Sequence, residues 1–261
     1  MEQSPRETFE TIQRMVARLV ATSPAGEGLR LVGGFRYRLL DGSCRRSLDI
    51  DYHWDGDLVR KRDEILVLLR KKLLPEMRRR LDRDGSAEPA AGPDADSPAV
   101  KSIALAAYRA DVPGSRLELP VDVVRISCLD PPEVRTASGV VFLTASDADM
   151  AESKVIALVE RVFIQDRDLL DLFLFQGALP PDARGRLLKK LSKLGISRAH
   201  IERRRRALRE NADVRARGVA RIIEEQVDEP AAANLKAAGD GKMVCSVVLE
   251  LLERLLRKGK R

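Results

Sequence analysis

The chain has few of the residues that crosslink a protein or anchor it in a membrane. Only three of its 261 residues are cysteines. Cys44, Cys128 and Cys245 lie far apart and form neither a CxxC motif nor a disulfide framework, which favours the reducing cytoplasm as the location. No run of about eighteen uncharged apolar residues is present, and the charged start MEQSPRETFETIQRMV lacks the apolar stretch of a signal peptide. We therefore expect no membrane partner.

Aromatic residues are also scarce, at 4%, whereas charged residues make up 33% of the chain. The net charge is +7, and its distribution is uneven. Residues 184–221 contain fourteen of the 47 Lys and Arg residues but only three of the 40 Asp and Glu residues. The rest of the chain is therefore net acidic. A basic segment of this kind indicates a localised surface that faces a polyanion, although such runs are more often a solvated helix face.

The pattern of apolar residues predicts an α+β protein. Apolar residues at helical spacing predict helices over residues 6–22 and 58–82, with a kink at Pro75 in the second. Strand-like runs occur elsewhere up to residue 145. We predict a mixed-sheet domain at 1–145, with a flexible Ala-, Pro- and Asp-rich insertion at 84–99. We predict a helical domain at 146–261, with helices at 147–162, about 166–177, 181–194, 197–225 and about 241–257. The stretches DPPEVRTASG and VDEPAAANLKAAGDG are interpreted as connections.

Two aspartates in the strand-like stretch LDIDYHW are candidate metal ligands. Residues two apart in a strand point to the same face, so Asp49 and Asp51 project together. A divalent cation between them would relieve their repulsion, and Mg²⁺ prefers carboxylate and phosphate oxygens. Taken alone, two solvated acids at a strand end explain this motif better.

Gly33 and Gly34 end an apolar run just before a possible helix. A glycine pair there allows backbone N–H groups to approach a phosphate, although a plain turn is the simpler interpretation.

A third carboxylate, Asp122, interrupts the apolar strand RLELPVDVVRIS. An acid inside a buried strand is costly unless it is paired or bound to metal. Its alternative role is a salt bridge with Arg36, Arg38 or Arg125, and Glu118 on the same face is the alternative third acid.

The stretch AESKVIALVERVFIQDRDLLDLFLF carries a second set of charges. Lys154 and Arg161 fall on one helical face, and Phe163 is placed on an apolar side of the same helix. Arg167 and Asp171 are spaced as ion-pair partners. In isolation, a pair of surface helices with salt bridges would explain the stretch.

The Gly-Gly turn, the D-x-D strand and the later single-acid strand resemble the polymerase-β-type nucleotidyltransferase superfamily. The ordered motifs Gly-Gly, SLDID, a strand with Asp, GVVFLT, ESKVIAL and RDLLDL resemble the AbiEii/AbiGii-type nucleotidyltransferase toxins, which include MenT-like enzymes. The resemblance covers roughly residues 28–176. Members of the family often carry Ser where Gly34 stands here.

The resemblance implies a polymerase-β-like domain with a small mixed sheet, followed by a helical bundle. It implies that Asp49 and Asp51, with Asp122 as the third acid, bind Mg²⁺, expected to be two ions. Gly33 and Gly34 would hold the NTP phosphates. Lys154 and Arg161 would contact the nucleotide, and Asp171 would be a further catalytic residue.

The predicted function is Mg²⁺-dependent transfer of NMP from an NTP to an RNA acceptor, expected to be the tRNA 3′ end. The biological role implied by the resemblance is the toxin of a toxin–antitoxin or phage-defence system, whose antitoxin acts with or without direct contact. Two alternatives are a non-catalytic RNA-binding module and an enzyme that attaches nucleotides to a protein. The sequence does not decide whether Arg45 and Arg46 contact phosphate or only water.

Overall fold

The structure is a computed structural model that describes residues 4–91 and 97–257. The chain forms two compact units. The first contains Met1–Ser43, Ser47–Ile126 and Pro132–Ala145, and the second contains Cys44–Arg46, Ser127–Pro131 and Ser146–Arg261. Two short segments thus leave the sheet-containing part of the sequence and join the helical unit.

The first unit is built on one mixed sheet of seven strands in the order β3-β4-β5-β2-β1-β7-β6. β2 pairs with β5, and β1 with β7, in parallel, while the remaining neighbours are antiparallel. The strands are β1 Arg30–Val32, β2 Ile50–His53, β3 Asp84–Pro89, β4 Val100–Tyr108, β5 Leu117–Val124, β6 Glu133–Ala137 and β7 Val140–Thr144.

Four helices complete the first unit: α1 Pro5–Ala21, α2 Gly33–Leu40, α3 Leu58–Leu68 and α4 Leu74–Leu81. A capping box starts α1, since Ser4 and Glu7 satisfy each other's backbone N–H groups. A π-helical turn, Leu69–Leu73, joins α3 to α4 ahead of Pro75. Proline has no N–H and crowds the preceding turn, so the predicted kink takes the form of this wider turn.

Side chains along β2 point alternately into the core and to the opposite face of the sheet. Ile50 and Tyr52 are buried in the same apolar cluster as Ile12 and Val16 of α1. Asp51, between them, therefore projects from the other face, where it is half-buried.

The second unit is helical. Its helices are α5 Asp147–Glu160, α6 Asp166–Phe175, α7 Ala183–Lys193, α8 Arg198–Glu210, α9 Ala212–Gln226, α10 Glu229–Ala237 and α11 Asp240–Leu256. Buried apolar residues from these helices, among them Val155, Leu170, Leu187, Val219 and Val248, form one core. Within the described ranges, no helix is long and apolar enough to cross a membrane.

Three predicted connections contain regular structure instead. The 84–99 insertion begins with β3, which pairs along its whole length with β4, and residues 92–96 of it lie outside the described residues. DPPEVRTASG forms β6 and a tight hairpin in which Ser138 and Gly139 have positive φ, as a two-residue turn requires. VDEPAAANLKAAGDG contains α10, whose single buried residue, Ala232, gave no apolar period to detect.

The helix predicted at 197–225 is two helices, α8 and α9, that meet at Asn211.

Candidate active site

Two of the predicted carboxylates lie on adjacent positions of neighbouring parallel strands. Asp51 of β2 is in register with Asp122 of β5. Paired residues of parallel strands project from the same face, so both carboxylates occupy one side of the sheet. Asp49, two residues before Asp51, leads into β2 and is also half-buried. The register thus places Asp122 beside Asp51, while a shared site of all three acids stays a prediction.

Asp122 lies in a different environment from the one predicted. Residues of β5 alternate between buried positions and positions that are half-buried or exposed, so only one face of this strand is in the core. Asp122 is on the more open face and is not an acid inside a strand that is buried on both sides. The alternative acid, Glu118, has a 73% exposed side chain that pairs with Arg116.

Gly33 lies directly against the Asp51 carboxylate. A Cβ atom at Gly33 would be 1.8 Å from Asp51 Oδ2 and 2.7 Å from its Cγ. Gly33 also has a φ of +75°, a backbone conformation that residues other than glycine rarely adopt. Gly33 and Gly34 are the first two residues of α2, so they form a helix N-terminus and not the loop that the sequence predicted. The first N–H groups of a helix have no partner within it, which suits them to phosphate.

Two polar residues that were not predicted from the sequence bind the segment that leads into β2. Ser47 Oγ donates to Asp49 Oδ1 over 2.7 Å. The buried Gln13 of α1 uses its Nε2 to donate to the carbonyls of Ser47, at 3.1 Å, and of Asp49, at 3.3 Å. A glutamine on the apolar face of α1 was the available signal, because a polar side chain buried there needs partners.

His53, two residues beyond Asp51, was also missed. The backbone N–H of Ile126 donates to its Nδ1 over 3.1 Å, and its Nε2 lies 3.1 Å from Asp55 Oδ1. Since Nδ1 accepts, the neutral ring carries its proton on Nε2. Burial lowers the pKa of His53, although Asp55 opposes that shift.

The three carboxylates do not form a ready-made metal site. In the part of the chain that the structure describes, no three His, Cys, Asp or Glu side chains are arranged as metal ligands. Mg²⁺ is commonly held by one or two carboxylates plus substrate phosphates, so a pair of acids is a sufficient protein contribution.

The remaining predicted site residues belong to a buried ionic cluster of the second unit. Lys154 Nζ lies 3.1 Å from Asp168 Oδ1 and 2.8 Å from Asp171 Oδ2. Arg161 pairs with Asp168 over 2.6 Å. Arg45 pairs with Asp171 through two nitrogens, one of them 3.0 Å from Oδ2. Arg45 is buried, so neither phosphate nor water is needed to explain it.

The charges in this cluster stabilise one another. Burial alone disfavours the ammonium form of Lys154, but Asp171 and Asp168 raise its pKa above the ordinary value. Burial likewise opposes ionisation of Asp171, yet Lys154 and Arg45 lower its pKa. Both groups are therefore charged at neutral pH. The helical spacing of Lys154 and Arg161 was predicted, whereas the contribution of Arg45 was not.

Many charges of the basic segment, residues 184–221, are paired within the protein, so fewer of them can face a polyanion than the composition suggests. Arg186 and the buried Lys190 pair with the buried Asp149 and Glu152. Other arginines of the segment bind carboxylates of the same unit, namely Arg205, Arg209 and Arg215. Exposed members include Lys189, Lys193, Arg203, Arg206, Arg217 and Arg221. These residues supply the candidate polyanion-facing surface.

A mixed sheet with neighbouring aspartates beside a glycine-initiated helix, followed by a helical unit, is consistent with a nucleotidyltransferase fold. The predicted fold class is confirmed, and so is the resemblance to MenT-like nucleotidyltransferases at the level of the fold.

Three solved structures similar to this chain come from two bacteria. The crystal structure of JHP933 from Helicobacter pylori has a TM-score of 0.56 at 14% identity and covers 98% of this chain and 95% of its own. A putative nucleotidyltransferase from H. pylori has a TM-score of 0.54 at 15% identity, with coverages of 97% and 96%. MenT4, a nucleotidyltransferase toxin from Mycobacterium tuberculosis, has a TM-score of 0.50 at 13% identity, with coverages of 98% and 96%.

No protein-family model matches the chain, and no curated protein is similar to it in sequence.

Proposed function

We propose that this protein is a nucleotidyltransferase that transfers NMP from an NTP to the end of an RNA, with the 3′ end of tRNA as the expected acceptor. The observation that carries the proposal is the contact between Gly33 and Asp51, with Asp122 in register beside Asp51. It brings a candidate phosphate-binding helix start and two acids together on one face of the sheet. The nucleotidyltransferase fold supports the same reaction class.

The donor set at this site fits Mg²⁺. Carboxylate oxygens are the hard ligands that Mg²⁺ prefers, and the absence of a side chain at Gly33 lets the Asp51 carboxylate lie directly against the start of α2. Asp49 and Asp51, with Asp122 as the third acid, would hold the metal. When bound, Mg²⁺ would neutralise the triphosphate and stabilise the attacking and leaving oxygens of an in-line displacement.

The protein groups have separate tasks in this proposal. The N–H groups of Gly33 and Gly34 would bind the β- and γ-phosphates, and the positive end of α2 would favour their charge. Asp122 would accept the proton of the attacking 3′-hydroxyl as its oxygen bonds to the α-phosphate, the bond from the α-phosphate to the β-phosphate oxygen breaks, and pyrophosphate leaves. Ser47 and Gln13 would keep Asp49 in place. The contacts of Lys154 and Arg161 with the nucleotide, and the catalytic role of Asp171, stay predictions from the resemblance.

The test is label transfer. The protein would be incubated with each labelled NTP, Mg²⁺ and total tRNA, alongside the Asp51→Asn and Asp122→Asn variants. We expect labelled RNA from the wild type and a loss of at least 100-fold in both variants, because Asp51→Asn would remove a charged metal ligand and Asp122→Asn would remove the proton acceptor. Glu118→Gln is the matched control. Its side chain points to solvent on the same strand, so it should retain full activity.

The other outcomes identify the alternatives. A labelled protein band without labelled RNA would assign the acceptor to a protein hydroxyl. Salt-sensitive tRNA binding without any transfer would indicate a non-catalytic RNA-binding module. Absence of label from both RNA and protein with every NTP would refute the proposal.

We propose a toxin role for the same activity, since MenT4 is named a nucleotidyltransferase toxin. Expression should then arrest growth, and Asp51→Asn should relieve the arrest while leaving the amount of folded protein unchanged. The partner that controls it would be a cognate antitoxin, with or without direct contact.

A further inference from the structure

The loop between α5 and α6 presents an aromatic ring to solvent. Phe163 is 83% exposed and its neighbour Val162 is 81% exposed. The chain has only six Phe, three Tyr and one Trp, and two of the other phenylalanines, Phe35 and Phe142, are in the core. The sequence placed Phe163 on an apolar helix side, but α5 ends at Glu160, before that side could continue. Phe163 and Val162 together form an exposed apolar patch, and such a patch rimmed by polar residues is a candidate interaction site.

The loop is held in place by the basic segment. Arg204 of α8 donates from Nε to the Leu158 carbonyl and from a terminal nitrogen to the Val162 carbonyl, each over 3.1 Å. Arg215 of α9 donates to the Ile164 carbonyl over 3.2 Å and also pairs with Asp166. The carbonyls on both sides of Phe163 are therefore bound, so its exposure follows from defined contacts.

The loop carries both signs of charge, with the exposed Glu160 and with Arg161 paired to Asp168, but the side chains of α8 and α9 that bind its carbonyls are arginines. The Arg161 side chain is 40% exposed, and Arg203, next to Arg204 on α8, is exposed. Proteins that bind single-stranded nucleic acid combine cations that track the phosphates with aromatic side chains on which bases stack. An apolar protein partner would account for Phe163 and Val162 but not for the arginines beside them.

We propose that Phe163 is a stacking platform for an unpaired base of the RNA acceptor, with the exposed Arg203 of α8 facing an adjacent phosphate. This inference rests on the proposed RNA acceptor, and it adds a substrate-binding residue that neither the motifs nor the fold assigns. Phe163 is proposed to affect RNA binding and to take no part in the chemical step.

The first experiment is kinetic. Phe163→Ala should raise the tRNA concentration needed for half-maximal label transfer by roughly 5- to 100-fold, the effect of losing one base–aromatic stack. The saturating rate should stay within about twofold of the wild type, since no reacting group is removed. Val214→Ala is the matched control, because Val214 is an exposed apolar residue of α9 in the same unit. It should leave both quantities unchanged.

The second experiment requires no transfer. Phe163→Trp should keep the stack and report it as fluorescence quenching by a 12-nucleotide single-stranded RNA, measured against wild-type protein, which contains only Trp54. A blunt duplex of the same sequence should quench much less. Phe163→Leu should fail to restore tRNA affinity, because leucine is apolar but has no aromatic face.

The outcomes separate this inference from the proposed function. If the wild type labels no RNA, the proposed reaction fails, and quenching of Phe163→Trp by single-stranded RNA still tests the stack. If the wild type labels RNA while Phe163→Ala and Val214→Ala behave alike, the stacking role is refuted. Full rescue by Phe163→Leu would also overturn it and would indicate an apolar docking surface.

Discussion

Gly33→Ala is the substitution that best tests the geometry of the candidate active site. It adds one methyl group at a position where a Cβ would lie 1.8 Å from Asp51 Oδ2, so the carboxylate must move. The new residue must also adopt a φ of +75°. We expect the variant to fold with reduced stability and to lose most of its transferase activity.

The expected magnitude has two parts. An alanine in the left-handed region costs roughly 1–2 kcal/mol, and the reduced freedom of the unfolded chain offsets about 0.4–1 kcal/mol of that. Forcing Asp51 away from its preferred rotamer adds about 0.5–1.5 kcal/mol. The free energy of unfolding should therefore fall by about 2 kcal/mol. Because a displacement of about 1 Å in a positioned group can cost 10²-fold in rate, transfer should fall about 100-fold.

Gly114→Ala separates these two parts. Gly114 has a φ of +76°, but no heavy atom lies within 4 Å of the position where its Cβ would be. This control should show the backbone cost of about 1 kcal/mol with unchanged label transfer. Calorimetry would measure stability and the labelled-NTP assay would measure activity. If Gly33→Ala and Gly114→Ala lose equal stability and equal activity, the Asp51 contact has no functional weight and the reasoning fails.

Two further predictions concern buried charges. Asp171→Asn should destabilise the second unit by roughly 3–5 kcal/mol in calorimetry, because Lys154 and Arg45 lose their shared buried partner; an unchanged melting temperature would contradict that. The lowered pKa of Asp171 means that this stabilisation is present above pH about 4 and is lost as pH falls through the folded-state pKa. His53 has a lowered pKa, so the unfolded chain binds its proton more readily, and stability should decline as pH falls below about 6.5. An NMR titration of the His53 ring with a midpoint at or above that pH would refute the prediction for His53.

Local pattern was sufficient for much of the secondary structure. The helical spacing from Phe9 to Val20 and the alternation around Asp51 each reflect one element packing one face against a core, so a short window of sequence contains the whole signal. Elements with little buried surface gave no such signal. β6 has no fully buried residue and α10 has only Ala232, so both were taken for connections.

Sequence patterns indicate which residues could do chemistry: a glycine pair before a helix, two acids spaced for one strand face, and a lysine and an aspartate on successive helices. Their neighbours depend on how the strands and helices pack in three dimensions. The parallel pairing of β2 with β5 puts Asp122 beside Asp51, and packing within the helical unit brings Arg45 to Asp171, 126 residues away. The same packing neutralises much of the basic segment and leaves Phe163 in solvent. Periodicity records which face of an element is buried, whereas strand register and ion pairing depend on residues far apart in the chain, so periodicity alone does not predict these contacts.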